Sequence, residues 1–189
     1  MSQADSFFDT NVLLYLLSKD TAKADRAEVL LASGGIVSVQ VLNEFASVAS
    51  RKLAMTIPEI REFLSTIRAV CIVKPLDIDT HELGLDMAER YGFSIYDGLI
   101  VAAAMRAGCS ILYTEDLRQG QVIDQLTVRN PFAGSSAPCW SRSRSRREIP
   151  VGLGQTGPAL ASNAAVRGPR RRALALPPAG FFLTLILCR

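Results

Sequence analysis

Residues 6–17 read SFFDTNVLLYLL: a short apolar run, then Asp9-Thr10-Asn11, then apolar side chains again at helical spacing. A carboxylate set between two segments that both belong inside loses its hydration, which is costly unless a partner offsets the loss. The stretch therefore predicts a buried strand that runs directly into a buried helix, with an acid at the junction that needs a counterpart.

The same strand-then-helix cadence continues outward from it. Residues 36–39, 72–74, 110–113 and 127–129 predict four further strands. Between them, helices are predicted over 11–17, 21–32, 41–53, 57–70, 79–91 and 95–107. Gly34-Gly35, Gly92 and Gly108 close three of these, and Pro58 sits at a helix start, where proline is tolerated. This alternation predicts an α/β protein: three α/β/α layers, with a mainly parallel sheet of about five strands between helices. In such sheets the ligand crevice lies beyond the carboxyl ends of the strands. Asp9 follows the first strand and Asp116, in SILYTEDL, follows the fourth, so two strands deliver one carboxylate each to the same edge.

Two more acids are candidates for that edge. Asp97, in GFSIYDGLIVAAAMRAG, lies three residues after Ser94, which is a capping-box spacing. The helix behind it is apolar nearly all round, so it is deeply buried and turns its acid inward. Glu44, in VSVQVLNEFASVA, sits at the margin of a stripe built by Leu42, Phe45, Ala46, Ala49 and Leu53. It is either a solvated flank or a carboxylate leaning over the crevice. Gathered carboxylates raise one another's pKa unless a cation compensates. Ligands that are all oxygen select Mg²⁺ or Mn²⁺.

Other chemistries lose support. The single histidine, His81, lies in the charged helix DTHELGLDMAER, away from any nucleophile motif. Neither G-x-S-x-G nor G-x-x-x-x-G-K-[ST] occurs. Cys71, Cys109, Cys139 and Cys188 show no C-x-x-C spacing, which with one histidine leaves too few ligands for a zinc cluster. An aspartyl-nucleophile phosphatase wants a second acid two residues after the first, and that position is Asn11. What remains is metal-assisted hydrolysis of a phosphodiester.

Charge divides the chain. Residues 1–133 carry 12 Lys and Arg against 17 Asp and Glu, whereas residues 134–189 carry nine arginines against Glu148 alone. Residues 1–133 read as one globular domain. Residues 134–189, rich in Gly, Pro, Ser and Arg without a period, read as a disordered basic tail. An RNA-binding arm and a frameshift or read-through extension are the alternatives for it. No apolar run approaches the roughly 20 residues that span a bilayer, and no leader pattern opens the chain, so a soluble cytoplasmic protein without a membrane partner is expected.

Taken in order, FFDTNVLLY, NEF, SIYDGLIVAAA and LYTEDL resemble the PIN-domain ribonucleases, and specifically the VapC-like toxins of bacterial type II toxin–antitoxin pairs. The resemblance covers roughly residues 5–133. It implies a compact parallel-sheet fold, Mg²⁺- or Mn²⁺-dependent endoribonuclease activity on RNA, a homodimer, and a cognate antitoxin whose C-terminal segment fills the acidic groove. By motif match, Asp9, Glu44, Asp97 and Asp116 would be the catalytic, metal-holding quartet, with Asn11 and Thr114 as polar supports. Relatives of this type usually stop soon after a segment like LTVRNPF, whereas this chain continues. The competing expectation is a catalytically silent PIN-like module that binds RNA or protein without cutting.

Overall fold

The computed structural model describes residues 5–133, and the expected basic tail at 134–189 lies outside the described residues. The quoted stretch folds as β1 (Ser6–Phe8) and α1 (Thr10–Tyr15), with Phe7, Phe8 and every residue of α1 buried. Asp9 is the N-cap between them, so the helix starts one residue earlier than periodicity suggests. Its carboxylate accepts from the Thr10 backbone N–H at 2.6 Å, satisfying one of the donors that a helix start leaves open.

Next come α2 (Thr21–Ala32), β2 (Gly35–Ser38), α3 (Val39–Lys52), α4 (Ile57–Val70), β3 (Cys71–Lys74), α5 (Ile78–Tyr91), α6 (Ile95–Arg106) and β4 (Ile111–Tyr113). Caps set the boundaries. Asp20, Ser38, Asp77 and Ser94 accept from backbone N–H groups at the starts of α2, α3, α5 and α6, and Gly92 ends α5 at φ 69°. Thr56 and Glu59 form a capping box at α4.

The chain closes with β5 (Val122–Ile123) and β6 (Leu126–Arg129), giving six strands among the described residues in the order β3-β2-β1-β4-β6-β5. The expectation of about five strands is corrected by β5, a two-residue strand antiparallel to β6. It escaped pattern reading because it is too short to alternate and Val122 is exposed; Asp124 turns the hairpin with φ 52°. All other strand pairings are parallel.

This order makes the architecture the expected α/β/α sandwich. The crossovers from β1 to β2 and from β2 to β3 run one way across the sheet, and the connection from β3 to β4 returns past β1. Right-handed crossovers therefore send helices to both faces. The strand order reverses between β1 and β4, which is where such sheets open a crevice. Register makes the two ends coincide: Phe8 pairs with Tyr113, so Asp9 and Thr114 leave the sheet side by side. The Asp9 N–H donates to the Tyr113 carbonyl at 3.0 Å.

α6 is deeply buried, with Gly98 through Ala104 all inside. It packs on α5 and also touches α3 and β2. The α5–α6 contact is close because it is made of glycines. A Cβ on Gly98 would collide with the Gly84 carbonyl oxygen, whereas one on Gly84 would meet the Leu99 side chain at 2.7 Å and its Cα at 3.1 Å.

Replacing a helical glycine by alanine ordinarily adds up to about 1 kcal/mol of helix stability. Gly98→Ala is expected to do the opposite, destabilising by about 1–3 kcal/mol because backbone must give way, and Gly84→Ala should cost less. Urea midpoints at unchanged slope measure both; a gain in stability for Gly98→Ala would contradict the close packing.

Candidate active site

At the shared end of β1 and β4, six polar residues come together through hydrogen bonds. Asp9 is 5 % exposed. Its Oδ2 accepts from Thr114 Oγ1 at 2.6 Å and from Asn11 Nδ2 at 3.1 Å. Asn11 Nδ2 also lies 3.2 Å from Thr114 Oγ1 and 3.5 Å from Asp116 Oδ2. The Asp116 N–H donates back to Thr114 Oγ1 at 3.1 Å. Glu44 reaches in from α3 and accepts from Thr10 Oγ1 at 3.2 Å. Of its two sequence readings, the solvated flank therefore gives way to the carboxylate leaning over the crevice.

Asp97 is held differently. It lies in the first turn of α6, a helix antiparallel to the strand that follows it, so topology puts that turn at the carboxyl edge of the sheet. Its carboxylate accepts from Ser94 Oγ at 2.6 Å, while its own N–H donates to Ser94 Oγ at 3.1 Å, a reciprocal cap. Among the described residues, no three His, Cys, Asp or Glu side chains form a group able to hold a metal ion. The structure thus joins Asp9, Asn11, Glu44, Thr114 and Asp116 in one network of hydrogen bonds, and Asp97 caps α6 with Ser94. His81 is half-buried on α5.

Four residues of this neighbourhood, Thr10, Tyr15, Lys23 and Glu115, were not singled out from sequence. Thr10 carries the link to Glu44. Tyr15 donates from its hydroxyl to Glu115 Oε2 at 2.5 Å, and Lys23 Nζ donates to that hydroxyl at 3.1 Å. Lys23 is only 2 % exposed. A signal for it existed: Lys23 precedes Ala27 and Leu31 by one and two helical turns, which places it on the buried face of α2.

Burial is the largest influence on Asp9 and pushes its carboxyl up; repulsion from Asp116 and, less strongly, Glu44 adds to it. The hydrogen bonds from Thr114 and the Thr10 backbone pull the other way, and the balance stands at about 7. Burial likewise raises Glu115, opposed by the Tyr15 hydrogen bond and the Lys23 charge. Asn11 Oδ1 is buried and accepts no hydrogen bond.

Comparison with known proteins comes to the same fold. The profile of the PIN domain matches residues 6–124. The structure resembles Mycobacterium tuberculosis VapC20, described as a sarcin-ricin loop cleaving toxin, with TM-score 0.50 and 22 % identity, over 58 % of this chain and 88 % of that one. It resembles VapBC2 from Rickettsia felis, solved with a DNA fragment from their promoter, with TM-score 0.50 and 18 % identity, over 66 % and 97 %. It also resembles FitAcB from Neisseria gonorrhoeae, with TM-score 0.50 and 16 % identity, over 68 % and 99 %. No match was found among curated proteins. Among the described residues, no helix is long and apolar enough to cross a membrane.

The raised Asp9 pKa fixes a pH dependence. In the unfolded chain the carboxyl releases its proton near 3.8, and in the folded chain near 7. Between those values the native state holds a proton that the unfolded state has lost, so stability falls as pH rises through the window, by a total on the order of 4 kcal/mol. In metal-free buffer the urea midpoint is expected to drop between pH 5 and 8, and Asp9→Asn to flatten that slope. Coincident profiles for the two proteins would contradict the buried, repelled acid.

Proposed function

The chain belongs to the PIN domain family, and from that premise we propose that it is a metal-dependent endoribonuclease, the toxin of a type II toxin–antitoxin pair. The observation that carries this reading is Asp9: a buried carboxyl raised to about 7 by desolvation and by two neighbouring acids, in a network whose acceptors are all oxygen. Nothing in core packing calls for that expense, whereas a divalent cation would offset it.

The residues present suit Mg²⁺ or Mn²⁺. The donors are hard oxygens, and Asn11 Oδ1 is a buried acceptor still without a hydrogen bond. Asp9 and Asp116 would hold the ion, with Glu44 and Asp97 completing the acidic set. Bound there, the ion would activate water and offset charge on the leaving oxygen of an RNA phosphodiester. The chain's own part is orientation. Thr114 and Asn11 fix Asp9 Oδ2, the Thr10 N–H fixes Oδ1, and the turn after β4 brings Asp116 beside them. The fold shared with VapC20, a toxin described as cleaving the sarcin-ricin loop, supports RNA as the substrate class. On this reading residues 1–133 are the nuclease domain, the active form is a homodimer, and a cognate antitoxin covers the acidic groove in the cytoplasm.

One observation favours a second reading, a PIN-like module that binds RNA or protein without cutting: Asp97 is engaged by Ser94, and no three of the described acids stand as a metal-holding group. A Mn²⁺ titration of the full chain separates the two.

Asp9→Asn and Asp97→Asn are each expected to abolish Mg²⁺- or Mn²⁺-dependent RNA cleavage while the protein stays folded. Thr114→Val should lose about 10–100-fold, as is usual for a residue that orients a ligand. Cleavage at the wild-type rate by both aspartate variants would exclude the nuclease, and absence of any Mn²⁺ site in the wild type would favour the silent module.

A further inference from the structure

Tyr15 and Lys23 are buried polar groups that the reading above does not use. Tyr15 is 0 % exposed and Lys23 2 %. A lysine buried to that degree is costly unless its charge is answered. Here it donates to Tyr15 Oη at 3.1 Å and sits 4.7 Å from the centre of the same ring. The hydroxyl passes the contact on, donating to Glu115 Oε2 at 2.5 Å. Phe132 closes the outer side of the ring, with centroids 3.9 Å apart. The result is a chain of contacts from α2 through α1 to the turn after β4.

Its far end is what gives it meaning. Glu115 lies between Thr114 and Asp116, the two turn residues bonded to Asp9 and Asn11. Asn11 and Tyr15 are one helical turn apart on α1, so they project from the same face. Asn11 therefore touches Thr114 and Asp116 while Tyr15 holds the residue between them. Three consecutive residues of the turn are gripped by one helix face. Lys23 anchors, from α2, the hydroxyl that holds Glu115 in this grip.

We propose that Lys23, Tyr15 and Glu115 form a positioning relay that locks the turn 114–116 and so sets the aim of Asp116 into the site. The inference rests on the nuclease reading for its effect on the ion, but not for its effect on the turn. In the relay Tyr15 and Lys23 touch neither substrate nor ion; they act through Asp116.

Two measurements on the full chain test it. The first is amide hydrogen exchange in metal-free protein. Tyr15→Phe, which removes one oxygen, should speed exchange of the Asp116 N–H at least about tenfold relative to amides in α5. Lys23→Met, which keeps the Tyr15–Glu115 contact but removes the charge, should do so to a smaller degree. The second is Mn²⁺ affinity, read by the electron-spin signal of the free ion. Tyr15→Phe should weaken it several-fold in the wild-type background and leave it unchanged in the Asp116→Asn background, because a residue acting through Asp116 has nothing left to position. Unchanged exchange in both single variants, or equal loss of affinity in both backgrounds, overturns the relay. Should Tyr15→Phe fail to fold, Lys23→Met carries both measurements. A wild type that takes up no Mn²⁺ sinks the nuclease reading instead, and the exchange result still decides the relay.

Discussion

The structure depends on one register: Phe8 opposite Tyr113 across two parallel strands. That pairing fixes where β1 and β4 stop, and the next residues, Asp9 and Thr114, then meet at 2.6 Å. A slip of one residue would turn every side chain of β1 to the other face of the sheet. Phe7 and Phe8, both wholly buried, hold it in place, since a slip would put Ser6 or Asp9 where one of them now fills the interior. The hydrophobic core thus specifies the position of a carboxylate that the core by itself would reject.

The surrounding elements answer that constraint in order of distance. α1 begins on the acid and uses it as a cap, so the helix gains from the residue that the interior loses. α3 is capped by Ser38, the last residue of β2, and its second turn carries Glu44 to Thr10. α6 could not lie as deep as it does without Gly98 against the Gly84 carbonyl, and that depth is what leaves the first turn of α6, with Asp97, at the carboxyl edge. Secondary structure here is a set of brackets of known length, each ending at the same edge of the sheet.

Much of this was legible because the relevant signals are local. Strand followed by a pair of helices, three times with a capping residue at every helix start, is readable from periodicity and side-chain chemistry alone, and the four helices α2, α4, α5 and α6 fall within one residue of the expected bounds. Asp9 was legible because an acid between apolar runs is anomalous. What sequence could not decide was anything set by contact between distant segments. Glu44 at a stripe margin reads equally as solvated or inward until Thr10 is placed beside it. Asp97 satisfies a capping pattern and an acidic-edge pattern at once, and the Ser94 contact shows the first of these in force. β5 is too short to carry a period and exists only because β6 is there to pair with it. Lys23 was not singled out because a lysine on a helix is usually a surface charge, although its spacing from Ala27 and Leu31 points inward.

The choice of partners for Asp9 carries the argument furthest. Every hydrogen bond it accepts comes from a neutral donor: the Thr10 backbone, the Thr114 hydroxyl and the Asn11 amide. An arginine or lysine at the same place would have neutralised the acid permanently and held its pKa low. Neutral donors orient both oxygens without cancelling the charge. The fold does possess a buried cation in the vicinity, and Lys23 is directed through Tyr15 to Glu115. A cation serves the scaffold and neutral donors serve the acid, and the proposed ion site rests on that division.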